Sequence, residues 1–141
     1  MTTSSPRPAN VPWLIPYLTV QDVDKAADFY VKAFKFEAKE LVPGEDGTTW
    51  HAELIYQDQM IMLGKENAWG NTTKPPVSNG IESPMGLYLY TQDVDKFYQQ
   101  ALANEAQSVS KPEDMFWGDR MCRLKDLDGF IWSFGTHLQI K

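Results

Sequence analysis

His51 and Glu53 stand two residues apart in the run Thr48–Tyr56, which the alternation of apolar and polar residues predicts to be a strand. Side chains two apart on a strand share a face. An imidazole and a carboxylate would therefore stand side by side, either as a general base with its partner or as two ligands of a metal ion. His51 and Glu53 are the candidate catalytic pair, and the competing possibility is a partly exposed polar face. His137, the other histidine, follows the last predicted strand and reads as a surface residue.

A second set of side chains offers recognition rather than catalysis. Tyr17, Tyr88 and Tyr90 occupy alternate positions of apolar strands, Trp50 lies within the strand expected at Thr48–Tyr56, and Trp117 sits just ahead of another. Such rings give a flat apolar wall with a polar tip, suited to stacking a planar or cationic ligand; equally, they could simply fill space between sheets. In Trp117-Gly118-Asp119-Arg120, the guanidinium of Arg120 could hold a ligand carboxylate or phosphate in a two-pronged grip, or Asp119 could occupy it.

The elements that must position these residues are written twice. Gln21-Asp22-Val23-Asp24-Lys25 recurs as Gln92-Asp93-Val94-Asp95-Lys96, an offset of 92 − 21 = 71. The same offset pairs Tyr17-Leu18 with Tyr88-Leu89, Ile61 with Trp132, Leu63 with Phe134 and Gly64 with Gly135, so no insertion or deletion between strands is expected. A fixed internal period speaks for duplicated architecture. In the first copy, a strand over Leu14–Val20 precedes a helix over Val23–Phe34 capped by Asp22; Pro16 marks that strand as an edge or a bulge. Strands follow at Ala38–Val42, Thr48–Tyr56 and Met60–Leu63. The second copy has a strand at Met85–Thr91, a helix over Val94–Asn104, and strands at Ser108–Ser110, Arg120–Lys125 and Phe130–Phe134. The order is βαβββ in each.

Residues 1–10, rich in Ser, Thr and Pro, are expected to form a flexible tail. Residues 11–141 form one domain, with module one at 11–64, a linker at 65–84 and module two at 85–141. With 141 residues the chain can bury one substantial core, whereas either half alone would be marginal. Nineteen acidic against thirteen basic residues give a net charge of −6, which opposes phosphate backbones and anionic lipid. Nucleic acid and membrane are therefore not expected as partners. Cys122 is the only cysteine, so neither an intrachain disulfide nor a thiolate cluster for zinc can form. With no signal-like or membrane-length apolar run, a cytoplasmic protein is expected.

Ile15-Pro16-Tyr17-Leu18-Thr19-Val20, Asp28-Phe29-Tyr30, His51-Ala52-Glu53-Leu54, Phe116-Trp117-Gly118-Asp119-Arg120 and the closing Asp126-Leu127-Asp128-Gly129-Phe130-Ile131-Trp132 together resemble the glyoxalase, bleomycin-resistance and extradiol dioxygenase superfamily (the vicinal oxygen chelate fold). That resemblance implies an α+β fold in which tandem βαβββ modules curl into a half-barrel-like mixed sheet with a cleft. It also implies metal ligands on the first and last strand of each module. The corresponding positions are Ile15 and Met62, then Gly86 and Ser133. Ile and Gly offer no donor, the Met thioether is soft, and a serine hydroxyl is weak and normally protonated. No metal and no cofactor are therefore expected. Gly86 would leave room for a bulky ligand, or would permit close strand approach or a bulge. The expected function is metal-free binding of a small molecule, an aromatic or cationic compound held against Tyr17, Trp50, Met62, Gly86, Tyr88, Tyr90, Trp117, Arg120 and Ser133. The alternative is a metal-dependent lyase or isomerase of glyoxalase type, with a non-standard site at His51 and Glu53. The resemblance further implies a homodimer whose modules complete one another's cleft.

Overall fold

The computed structural model describes residues 5–139. Module one runs β1 (Tyr17–Val20), α1 (Val23–Ala33), β2 (Glu37–Pro43), β3 (Thr49–Tyr56) and β4 (Gln59–Lys65). The connection holds a 3-10 turn (Ala68–Gly70) and one helical turn, α2 (Pro76–Asn79). Module two runs β5 (Gly86–Tyr90), α3 (Val94–Ala103), β6 (Gln107–Asp114), β7 (Asp119–Lys125) and β8 (Ile131–His137). Asp22 and Asp93, from the two copies of the pentapeptide, cap α1 and α3 alike. Their side chains accept from the amides of Lys25 at 3.1 Å and Lys96 at 3.2 Å, an arrangement worth about 1 kcal/mol per helix.

The strands pair as β1-β4-β3-β2 and β5-β8-β7-β6, each first strand lying parallel to the last strand of its module. The curled, half-barrel-like sheet with a cleft is thereby corrected. The eight strands form two separate, open four-stranded sheets, with β1 and β2 at the edges of one and β5 and β6 at the edges of the other. The edges are built to stay unpaired. β1 has four residues and follows Pro16, while β2 and β6 carry charged residues and register shifts, and β6 contains Pro112.

The repeat also needs a correction. The first strand, helix start and last strand keep the offset of 71, since Tyr17 faces Met62 and Tyr88 faces Ser133. The middle strands do not: Ala38 faces Leu54 where Ser108 faces Leu124, an offset of 70. One residue is lost at the C-terminus of α3, which has 10 residues against 11 in α1. It is regained in the turn between β7 and β8, which holds Asp126-Leu127-Asp128-Gly129.

That turn joins the modules. Asp126 is buried; its carboxylate accepts from the Tyr30 hydroxyl of α1, from the Trp132 indole at 3.3 Å and from the amides of Asp128 and Phe130. Asp128 accepts from the Gln21 amide at 2.9 Å. Helices α1 and α3 touch, and Phe34 packs on Phe97, Trp132 and Phe134 in a single core drawn from both modules. The helix-bearing faces of both sheets thus point into one core, and the opposite, open faces point away from it. Among the described residues no helix is long and apolar enough to cross a membrane.

Candidate functional site

Strand alternation sorts the candidate residues onto these faces. On β3, Ala52 and Leu54 enter the core, so His51 and Glu53 project from the open face of module one. Tyr17 and Met62 are paired in register and Met62 faces Glu53, which brings Tyr17, His51, Glu53 and Met62 together. The Tyr17 hydroxyl lies 3.1 Å from His51 Nδ1, and Glu53 lies 3.6 Å from His51 Nε2. Nδ1 of His51 is therefore within hydrogen-bond distance of a partner, whereas Nε2 has a carboxylate nearby but beyond that distance. Lys39 approaches Glu53 at 4.0 Å. Part of this face is roofed by the N-terminal segment, where Arg7 lies over the Trp13 ring at 4.3 Å. Beneath it a cavity of about 470 Å³ is lined by Arg7, Trp13, Ile15, Glu53, Met60 and Met62 among others.

The open face of module two carries Gly86, Tyr88, Tyr90 and Ser133, with Trp117 on the loop entering β7. At its centre is Asp119, which the alternation places on the face opposite Arg120. Asp119 is 1% exposed, and its carboxylate collects three donors: the Tyr88 and Tyr90 hydroxyls at 2.7 Å each and His137 Nδ1 at 3.0 Å. The Trp117 indole donates in turn to the Tyr88 hydroxyl at 3.3 Å. These donors, Tyr88 first, hold the Asp119 carboxyl down at about 2, against desolvation that acts the other way. Burial, and then the bond to Asp119, push the Tyr88 phenol up to about 12. Tyr88 and Tyr90 nevertheless keep much of their surface in solvent, with ring centroids 5.4 Å apart.

One packing device is common to both faces. Tyr17 lies across Gly64 and Tyr88 across Gly135; a Cβ on Gly64 would sit 2.6 Å from the Tyr17 ring, and one on Gly135 would sit 2.9 Å from the Tyr88 hydroxyl oxygen. The absent side chains let each ring lie flat against the neighbouring strand and reach His51 or Asp119. Gly86 is different. Its Cβ would meet nothing closer than the Ile131 carbonyl at 3.9 Å and the pairing there is regular, so neither crowding nor a bulge explains that glycine.

Two of the expected ligand-binding residues lie elsewhere. Arg120 shares the core-facing parity of Cys122 and Leu124. Its guanidinium grips Asp95 through Nε at 2.8 Å and Nη2 at 3.0 Å, and Asp114 through Nη1 at 3.0 Å, which fastens α3 and β6 to β7. Trp50 alternates with His51; its indole donates to Asp46 at 2.9 Å and its ring meets Trp69 edge to face. Neither shares a face with the tyrosines. Asp119 and His137 complete the cluster instead. The signal for Asp119 was available in the sequence, because the core residues Cys122 and Leu124 fix the parity of β7. His137 became legible only when β8 extended three residues beyond Phe134.

Among the described residues no group of three or more His, Cys, Asp or Glu side chains is placed to hold a metal ion. Met62 and Ser133 face Tyr17 and Tyr88 across the strands, and Gly86 lies two residues from Tyr88. The donor chemistry at these positions does not fit the family's metal.

The chain belongs to the glyoxalase/bleomycin resistance protein/dioxygenase superfamily, whose family model matches residues 11–134. An uncharacterised protein of Mycobacterium bovis is 39% identical over 126 residues, covering 88% of this chain and 82% of that protein. Among solved structures, TioX from Micromonospora sp. ML1 superposes with a TM-score of 0.72 at 26% identity, covering 89% of this chain and 98% of TioX. A superfamily member from Sphaerobacter thermophilus superposes with a TM-score of 0.68 at 23% identity, covering 88% and 97%.

Proposed function

We propose that this protein binds and sequesters planar aromatic or cationic compounds without a metal, holding them against the ring pair on the open face of module two. What carries this is the chemistry around Gly86 and Ser133. Where the family's metal ligands would stand, one residue has no side chain and the other a neutral hydroxyl, and beside them are two solvent-facing tyrosines tied to an ionised carboxylate. A phenol that donates to a carboxylate gains electron density in its ring, which strengthens attraction for a cation over its face. The net charge of −6 acts in the same direction at long range. Gly86 leaves open space at the edge of the ring pair.

A single open face supplies one wall. The homodimer expected from the resemblance fits this function, because a second copy could provide the facing wall; sedimentation analysis would detect it. A thermal-shift screen against glycopeptide antibiotics and aromatic cations tests binding. A ligand at 100 times its dissociation constant should stabilise the fold by about 2.7 kcal/mol, and a broad panel without a hit would contradict the proposal.

The metal-dependent lyase or isomerase remains as a second possibility because His51, Glu53 and Tyr17 do converge on one face. Its test is elemental analysis of protein purified without chelator. Stoichiometric zinc, nickel, iron or manganese would favour it over metal-free binding. A cytoplasmic setting suits either function, since buried Cys122 has no partner to oxidise with among the described residues.

A further inference from the structure

Asp119 and His137 face each other across β7 and β8, and the carboxylate that orders the two tyrosines also takes the imidazole. An ionised carboxylate can only accept, so the neutral imidazole must carry its proton on Nδ1, the nitrogen 3.0 Å from Asp119. The lone pair is then on Nε2. The His137 side chain is 67% exposed, and among the described residues no hydrogen bond engages Nε2. On this face Tyr88, Tyr90 and Trp117 all direct their donor hydrogens inward, the first two to Asp119 and the third to the Tyr88 oxygen. Nε2 is thus an oriented acceptor at the rim of an aromatic surface whose own donors are spent.

We propose that His137 Nε2 is a specificity-determining acceptor that selects, among planar aromatic ligands on this face, those bearing a ring N–H or O–H donor, with Asp119 as the positioning residue that fixes its tautomer. This rests on the aromatic face being the ligand surface. The module-one histidine offers no equivalent, because the Tyr17 hydroxyl takes its Nδ1, the Glu53 carboxylate stands 3.6 Å from its Nε2, and its side chain is only 17% exposed. A ligand lacking the donor leaves the Nε2 lone pair facing a ring and without a partner. Ligand ring and imidazole then gain only dispersion, whereas a ligand N–H exchanges the water on Nε2 for an oriented hydrogen bond.

Tryptamine and 1-methyltryptamine separate the two claims, since both present an aromatic ring and a cation but only the first has an indole N–H. Binding followed by NMR titration should be about tenfold tighter for tryptamine in the wild-type protein, the size expected of one oriented hydrogen bond. The preference should vanish in His137→Ala, both probes then binding that variant with equal affinity. Nitrogen-15 spectra of the wild-type histidines should show His137 as the Nδ1–H tautomer, and Asp119→Asn should mix the tautomers and shrink the preference. Equal binding of both probes to the wild-type protein overturns this inference while leaving the aromatic face intact. Binding of neither probe overturns the inference and, together with an empty ligand screen, the function beneath it. An Nε2–H tautomer in the wild-type spectrum overturns the inference whatever the titrations show.

Discussion

Tyr88 shows how much of the candidate site depends on single residues, because three separate conditions keep it where it is. Gly135 must lack a side chain, Asp119 must be ionised, and Trp117 must cap the hydroxyl from above. Gly135→Ala puts a methyl group 2.9 Å from the phenol oxygen, so the ring must lift and the bond to Asp119 must lengthen. The phenol of Tyr88 should then titrate below the value of about 12 that burial and Asp119 impose on it. An ultraviolet titration of the tyrosines checks this, and an unchanged high-pH step would mean that the glycine is not what seats the ring. The role of Gly135 was not readable from the repeat, which shows only that Gly64 and Gly135 correspond. The role depends on which neighbouring side chain crosses them. Arg120 teaches the complement: its motif was legible, but its direction depended on the core-facing parity of β7, and the carboxylates of Asp95 and Asp114 already hold it.

At the scale of elements, the helices and the third strand of each module, β3 and β7, were the most legible parts, because their signals are local. The Asp caps and the apolar stripe place α1 and α3 to within a residue at their C-termini, and turn residues bound β3 and β4. β6 was underestimated because Pro112 argued against a strand; an edge position with a register shift between Ser110 and Glu113 is where a strand tolerates proline. The β7–β8 turn carries the strongest test. Asp128 is buried there, and burial lifts its carboxyl to about 7, well above the usual value near 4. Below about pH 4 both folded and unfolded chains keep the proton; between about 4 and 7 the unfolded chain has lost it and the folded chain has not. Stability must therefore fall as pH rises through that window, and the deficit is complete above about pH 7. Asp128→Asn keeps an acceptor for the Gln21 amide and removes the charge. Denaturant melts should show the variant more stable than wild type at pH 8, with the gap closing toward pH 4. A gap independent of pH would contradict burial as the cause.

Over the whole molecule, duplication was plain in the sequence, but the mutual placement of the copies was not. The family resemblance implied a curled sheet around a cleft. The structure instead packs one face of α1 and of α3 into a core shared by two open sheets, through Phe34 with its partners and the Tyr30–Asp126 contact. Those contacts are long-range and join residues with no local signature; losing one such buried ring costs about 3–5 kcal/mol. The arrangement turns both open faces outward, so one chain presents two unlike surfaces. One is partly roofed by the N-terminal segment and centred on His51; the other is bare, aromatic and centred on Asp119. The central claim is that the second surface holds its ligand with rings and hydrogen bonds, the family's ion-binding positions having lost their donors. Calorimetric titration of chelator-treated protein with 1-methylquinolinium, alongside the Tyr88→Ala/Tyr90→Ala double variant, tests it most directly. Saturable binding to the wild-type protein that disappears in the double variant is the predicted result. Absence of binding until a divalent metal is restored, or binding that survives loss of both rings, would contradict it.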